Sequence, residues 1–319
     1  MRGAAREALA ARRSGVLFRY KLFANCVKRE LIAAFATDAN CLVDLGCGRG
    51  GDLAKWRGAH VRHVVAIDLS SAQLDEARAR ASPPSGERGG RQGGRQGGRR
   101  QGRGGRQGGT QITWKQHDFL TPSLAAAVAH DLKCADSAEG ADAVAAMFCV
   151  QFAFASAESA SQLLSQVSGM LRLGGVFFGT APDASAILDA LRGDQAVTLQ
   201  PPEVPCVLRL SRRATQSPGD APGGEFGQGL VFCMEDTVTR DSDALDGAHE
   251  YLVQRETLVR LAAAQGLQPI LLESMMRENG NGPRRAIPML AVNPSCPALS
   301  AAEGRIARLY FSFAFRKVA

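Results

Sequence analysis

The sequence predicts an α/β protein of Rossmann-like type, with helices on both faces of a mostly parallel sheet. Three stretches carry that reading. CLVDLG, from Cys41 to Gly46, is a short apolar run that enters a glycine cluster. The residues from Asp52 onward form an amphipathic helix. HVVAIDLS, from His63 to Ser70, repeats the strand pattern ahead of a second helical stretch, QLDEARARA. Strand, helix, strand, helix in that order implies parallel strands joined by right-handed crossovers.

Before the first strand, apolar residues recur at helical spacing from Tyr20 to Phe35 in YKLFANCVKRELIAAF, and a polar break from Thr37 to Asn40 ends that helix. Residues 1–18 read as an Arg/Ala-rich N-terminal extension and 19–319 as a single domain. After the second helix, residues 82–110 consist of near-repeats of GGRQ with nothing to contribute to a core, and read as a disordered insertion. QITWKQHDFL then resumes as a strand ending at His117 and Asp118. A helix through LAAAVAHDL and a strand through AVAAMFCVQFAF follow. SASQLLSQVSGMLRLGG reads as a helix closed by Gly174 and Gly175, and VFFGTAP as the next strand. Residues 193–229 are rich in Pro, Gly and Ser and read as an irregular loop on the substrate side. LVFCMEDTV and ETLVRLAAAQGLQPILLESMM restore a strand, helix, strand order, and LYFSFAFRK closes the chain as a strand.

Composition narrows the function classes. The 319 residues are 45% hydrophobic, enough for a sizeable buried core, and carry a formal net charge of +7. The charge is concentrated. Arg88, Arg91, Arg95, Arg99, Arg100, Arg103 and Arg106 face Glu87 alone within the insertion, and the rest of the chain is near neutral. That segment suits sequence-independent attraction to RNA phosphates, or else is a tolerated low-complexity insertion. Eight cysteines and five histidines show neither a CxxC pair nor metal-ligand spacing, so no metal and no disulfide framework is expected. No apolar run reaches the length that spans a bilayer, so no membrane partner is expected. MRGAAREALAARRSG reads as an Arg-rich first helix, with an organelle transit peptide as the alternative.

Gly46, Gly48, Gly50 and Gly51 sit in one strand-to-helix turn, where the absence of a Cβ lets a ligand approach the backbone. Asp52 follows at once and repels phosphate, which argues against a dinucleotide site. No Gly-Lys-Ser/Thr follows, which excludes a P-loop. A ligand with a ribose and a positive centre fits the acids, and S-adenosyl-L-methionine is such a ligand. Asp68 ends the second strand where it can accept from ribose hydroxyls, and Asp118 ends the third where it can meet an adenine amino group.

DLGCGRGGDLAKW followed by VVAIDLS, the QFAF stretch, GGVFFGTAPDASAIL and LYFSFAFRK, in that order, resemble the eukaryotic mRNA cap guanine-N7 methyltransferases from about Tyr20 to the end. The resemblance implies a class I S-adenosylmethionine-dependent methyltransferase with a seven-stranded sheet. It also implies methyl transfer to N7 of the cap guanine of GpppN-RNA. It assigns Lys28, Asp44, Gly46, Asp68, Asp118 and Gln151 to the cofactor, and Asn25, Arg49, Asp52, Phe152, Glu250 and Tyr310 to the cap. It further implies capped RNA as partner, an activating subunit or other capping enzymes as further partners, a monomer, and the nucleus as location. Two departures stand out. The family's His-Tyr pair is replaced by Ala155 and Ser156, and its paired asparagines are reduced to Ala24 and Asn25. Phe154 is a replacement by proximity in sequence. Guanine N7 carries a lone pair and no proton, so this chemistry needs alignment and electrostatics and no acid or base. The alternatives are a methyltransferase of the same fold acting on another RNA or a small molecule, and a non-catalytic RNA-binding protein.

Overall fold

The computed structural model describes residues 18–82, 109–134, 139–191, 196–199, 206–210, 224–234, 248–274 and 297–319. The N-terminal extension, nearly all of the arginine-glycine insertion and much of the 193–229 segment lie outside the described residues.

Helix α1 (Phe18–Ala36) buries Tyr20, Phe23, Val27 and Leu31, a stripe at the three-to-four-residue spacing that places side chains on one face. Strand β1 (Cys41–Leu45) is buried along its whole length. So is β2 (His63–Asp68), and such continuous apolar runs mark strands covered on both faces. Between them the short helix α2 (Leu53–Gly58) turns Leu53 and Trp56 into the core. Helix α3 (Ser71–Ala81) starts where the Ser70 side chain accepts from the Gln73 amide. Strand β3 (Gln111–Gln116) is exposed at both ends, as an edge strand is. The chain continues through α4 (Leu124–Cys134), β4 (Ala141–Met147), α5 (Ala157–Met170), β5 (Leu171–Pro182) and α6 (Ala184–Ala190). The strands β6 (Ala196–Leu199), β7 (Cys206–Leu210), β8 (Gly229–Met234) and β9 (Ala248–Tyr251) come next. Helix α7 (Arg255–Ala263), strand β10 (Leu267–Ser274), helix α8 (Ala301–Arg308) and strand β11 (Tyr310–Lys317) complete it.

The main sheet has seven strands in the order β10-β11-β5-β4-β1-β2-β3. All neighbours pair in parallel except β11, which is antiparallel to both β10 and β5. The parallel strands therefore end along one edge, where a doubly wound sheet opens its crevice. A second sheet, β6-β7-β8-β9, is antiparallel throughout. It is tied to that edge by backbone bonds: Gly227 N–H donates to the Phe154 carbonyl at 3.0 Å and Ala184 N–H to the Val253 carbonyl at 3.1 Å.

Several sequence expectations change. The 193–229 segment contains β6 and β7 and leads directly into β8, so it is not irregular throughout; strand pairing supplied the order that its local periodicity lacked. The strand expected to include QFAF stops at Met147, and Val150–Ala155 forms a 3₁₀ turn, because the run crosses the sheet edge. The helix expected to close at Gly174 and Gly175 ends at Met170, and the chain enters β5 at Leu171 without a loop. Helices α6 and α8 escaped the sequence reading. The second is marked by Ser300 and Glu303, which form a reciprocal capping box, and Glu303 also accepts from the Tyr20 amide at 3.1 Å, joining the C-terminal helix to α1.

Candidate active site

The glycine turn lies at the end of β1. Gly46, Gly48 and Gly50 have φ of 67°, 53° and 70°, a region that glycine enters without a Cβ penalty. A Cβ on Gly46 would lie 3.1 Å from the Cβ of Cys149 and 3.3 Å from its Sγ, so the turn rests directly on the residue that follows β4 and Phe148. Gly46→Ala is expected to destabilise the fold by about 1–2 kcal/mol from the backbone alone. The crowding against Cys149 adds to that. Thermal unfolding should show a lowered midpoint, and calorimetry a weakened nucleoside ligand; an unchanged midpoint would mean that the turn relaxes freely.

Asp68 organises this turn. One carboxylate oxygen accepts from the Gly48 amide at 2.7 Å and the other from the Ser70 amide at 2.9 Å. Asp118 lies two residues beyond β3, where its side chain accepts from the Leu120 amide at 2.9 Å.

Lys28, on α1, reaches Asp52 at 3.0 Å, and Lys55 reaches the other oxygen of Asp52 at 2.7 Å. Burial opposes the lysine charge, but Asp52 and Asp44 outweigh it and raise the pKa of Lys28. Burial likewise opposes ionisation of Asp52, and the two lysines overcome it and lower its pKa. Asp44 has the reverse balance. It is buried, with Asp52 and Asp68 nearby, and its carboxyl is pushed well above the ordinary range despite Lys28. A ligand that carries positive charge against Asp44 and a carboxylate against Lys28 relieves both conditions.

On the other side of the crevice, Glu250 of β9 is 7% exposed. Burial lifts its pKa to about 7, while a hydrogen bond from the Gln151 side chain acts in the opposite direction. Glu250 Oε2 and Gln151 Oε1 are buried and find no hydrogen-bond partner among the described residues. An acceptor left open in this way is costly unless something fills it. The Gln151 amide also donates to the Phe148 carbonyl at 2.9 Å. Tyr310, the first residue of β11, meets the Phe148 ring edge to face at 5.3 Å.

The structure thus gathers Lys28, Asp44, Gly46, Asp68, Gln151, Glu250 and Tyr310 along one edge. Other expected residues are engaged differently. Asp52, expected on the cap side, is buried and held by two lysines. Asn25 accepts from Lys55 at 2.7 Å. Arg49 faces α3, 3.7 Å from Glu76, while Arg80 donates to its carbonyl at 2.9 Å. Phe152 packs partly buried against the core. Phe154, the replacement suggested by proximity, is 1% exposed and stacks on Phe226 at 5.9 Å, so it cannot also stack on a ligand. Ser156 caps α5 by accepting from the Ser159 amide at 3.1 Å.

Two residues escaped the sequence reading. Lys55 carried a legible signal, its three-residue spacing from Asp52 on a helix start. Phe148 carried none, because it reads as part of an apolar strand. Its φ is 60°, where a bulky residue is strained by on the order of 1–3 kcal/mol.

Among the described residues, no helix is long and apolar enough to cross a membrane. A family model described as an mRNA (guanine-N(7))-methyltransferase domain matches residues 3–318. The mRNA cap guanine-N(7) methyltransferase of Candida glabrata is 28% identical over 262 residues, which are 82% of this chain and 55% of that protein. The protein of the same name from Cryptococcus neoformans is 27% identical, covering 93% of this chain and 44% of its own. The chain therefore spans about half the length of these curated relatives. mRNA cap guanine-N(7) methyltransferase 1 of Arabidopsis thaliana is 25% identical, with 98% and 78% covered. Among solved structures, the CcbJ methyltransferase of Streptomyces caelestis superposes with a TM-score of 0.52 at 14% identity, covering 91% of this chain and 89% of its own. An S-adenosylmethionine-dependent methyltransferase from Clostridium acetobutylicum gives 0.50 at 13% identity over 99% of both chains. These two likenesses concern the fold.

Proposed function

The chain belongs to the mRNA (guanine-N(7))-methyltransferase family, and on that premise we propose that it transfers a methyl group from S-adenosylmethionine to N7 of the guanine that caps an RNA. One observation carries the reading beyond family membership. Glu250 Oε2 is a buried acceptor with no partner among the described residues, and we assign it to the N1 and N2 hydrogens of a guanine.

The chain's residues suit the cofactor. Lys28 receives its carboxylate, Asp44 and the Gly46 backbone line the methionine end, Asp68 accepts from the ribose, and Asp118 borders the adenine. Bound S-adenosylmethionine supplies an electrophilic methyl group on a sulfonium. Glu250, through an ionised carboxylate, fixes the guanine edge, and Tyr310 contributes an aromatic wall. Gln151 spans the two halves, since its amide holds both the Phe148 carbonyl and Glu250. Guanine N7 uses an in-plane lone pair and loses no proton, so the residues work by alignment and charge. Arg49, on the outer flank of the turn, adds positive charge for the triphosphate. Capped RNA is the partner and the nucleus the place of action; an activating subunit is a further partner, and the chain acts as a monomer.

The test is transfer of labelled methyl from S-adenosylmethionine to GpppA-capped RNA, with the product mapped to N7. Uncapped RNA and free GTP serve as competing acceptors. Transfer to the cap supports the proposal. Ready methylation of another acceptor, with capped RNA untouched, would instead show that the loss of the His-Tyr pair at Ala155 and Ser156 redirected the substrate.

A further inference from the structure

We propose that Phe148 is the aromatic residue that stacks on the acceptor guanine, filling the role that Ala155 and Ser156 leave empty. The assignment rests on the cap reading above. Phe148 is the first residue beyond β4, so it stands at the open edge of the sheet between the glycine turn and β9. Its ring borders both halves of the crevice: Lys28 Nζ lies 5.7 Å from the ring centroid, and the Tyr310 ring meets it at 5.3 Å and 77°. The ring is partly buried, packed on one side against the core.

The backbone is held so as to keep the ring there. Phe148 N–H donates to Thr180, to its carbonyl at 3.2 Å and its hydroxyl at 3.0 Å, and its own carbonyl accepts from Gln151. These bonds fix φ at 60°, which a bulky side chain rarely adopts and which turns the ring away from the path an extended strand would give it. Strain of this kind persists where surrounding contacts over-determine it, and it clusters at ligand sites. Gln151 also hydrogen-bonds Glu250, so a single side chain links the ring to the carboxylate that takes the guanine edge. A base held at its edge by Glu250 and on its face by Phe148 has its plane and its rotation both defined, and N7 is then presented in one direction. The neighbouring Phe154 is committed elsewhere, stacked on Phe226 in the core.

The experiment measures equilibrium binding of GpppA and, separately, of S-adenosylhomocysteine to the wild-type chain, Phe148→Gly, Phe148→Tyr and Glu250→Ala. Glycine adopts φ of 60° freely, so Phe148→Gly removes the ring without adding strain. Phe148→Gly is expected to weaken GpppA by about 10- to 100-fold, the range for loss of one base–aromatic stack. S-adenosylhomocysteine should stay within about twofold, since that stack serves the base alone. Phe148→Tyr should bind GpppA like wild type. Unchanged GpppA affinity in Phe148→Gly, or an equal loss for both ligands, overturns the assignment, the latter making the ring a wall of the cofactor site. A wild-type chain that binds S-adenosylhomocysteine but not GpppA, with Glu250→Ala indistinguishable from it, overturns the cap reading and this assignment together.

Discussion

Asp68→Ala is expected to weaken S-adenosylhomocysteine binding by roughly a thousandfold and to reduce methyl transfer in proportion, from the loss of two or more hydrogen bonds to a charged group. The carboxylate has two tasks. It accepts the Gly48 and Ser70 amides, which shapes the glycine turn, and in the proposed function its remaining lone pairs accept from the ribose. Alanine removes both. The turn amides lose their acceptor, Gly48 is freed from its φ of 53°, and the ribose hydroxyls exchange protein for water. Asp68→Asn keeps the shape and one acceptor oxygen, and should lose only about 10- to 100-fold, the share of one such bond. Calorimetry with S-adenosylhomocysteine, paired with thermal unfolding, separates the tasks. A lowered midpoint with affinity within tenfold of wild type would show that Asp68 serves the turn alone.

Glu250→Gln is expected to raise thermal stability while lowering kcat/KM for capped RNA by roughly 100- to 1,000-fold, the cost of replacing an acceptor with a misplaced donor at a buried site. The sign of the stability change follows from the raised pKa. Burial lifts the Glu250 carboxyl from an ordinary 4.5 to about 7, so the folded chain holds this proton more tightly than the unfolded chain does. The group's contribution to stability is then fully present below about 4.5 and is lost as pH rises through about 7. The loss amounts to on the order of 3 kcal/mol. A glutamine does not titrate, and its amide supplies a donor where Gln151 Oε1 lacks a partner among the described residues. The unfolding midpoint at neutral pH should therefore rise by a few degrees. Wild-type kcat/KM for capped RNA should fall as pH drops below about 7, because only the ionised carboxylate accepts both guanine hydrogens. A pH-independent kcat/KM between 6 and 8, with no gain in midpoint for the glutamine variant, would remove Glu250 from the guanine site.

The cofactor half was legible in the sequence because its residues lie within one local unit. Val43 to Asp52 is a strand, a turn and a helix start in direct succession, and Asp68 ends the next strand. Continuous apolar runs at β1 and β2 announced strands covered on both faces, and the glycines announced a turn that a ligand approaches closely. Lys28 was found through resemblance, and its pairing with Asp52 required the packing of α1 against α2. Elements without strong periodicity were missed or misdrawn. The strands β6 and β7 are defined by pairing with β8, and the 3₁₀ turn at Val150–Ala155 by the chain leaving the sheet edge.

The substrate half belongs to the tertiary structure. Phe148 and Gln151 lie close together just beyond β4, whereas Glu250 and Tyr310 come from β9 and β11 far along the chain, and only the sheet order and the attachment of β9 to the ends of β4 and β5 bring the three regions together. Phe154 lies one turn from Gln151 in sequence yet faces the core, whereas Phe148 reads as an ordinary strand residue yet has its backbone turned to a φ of 60° and held by Thr180 and Gln151. The sequence by itself determined the class of fold and the nucleoside-binding turn, since both depend on local periodicity and on backbone freedom within a few residues. Which aromatic rings and which carboxylate come together beyond the ends of β4 and β5 was decided by long-range strand pairing and by burial, and neither leaves a local pattern to read.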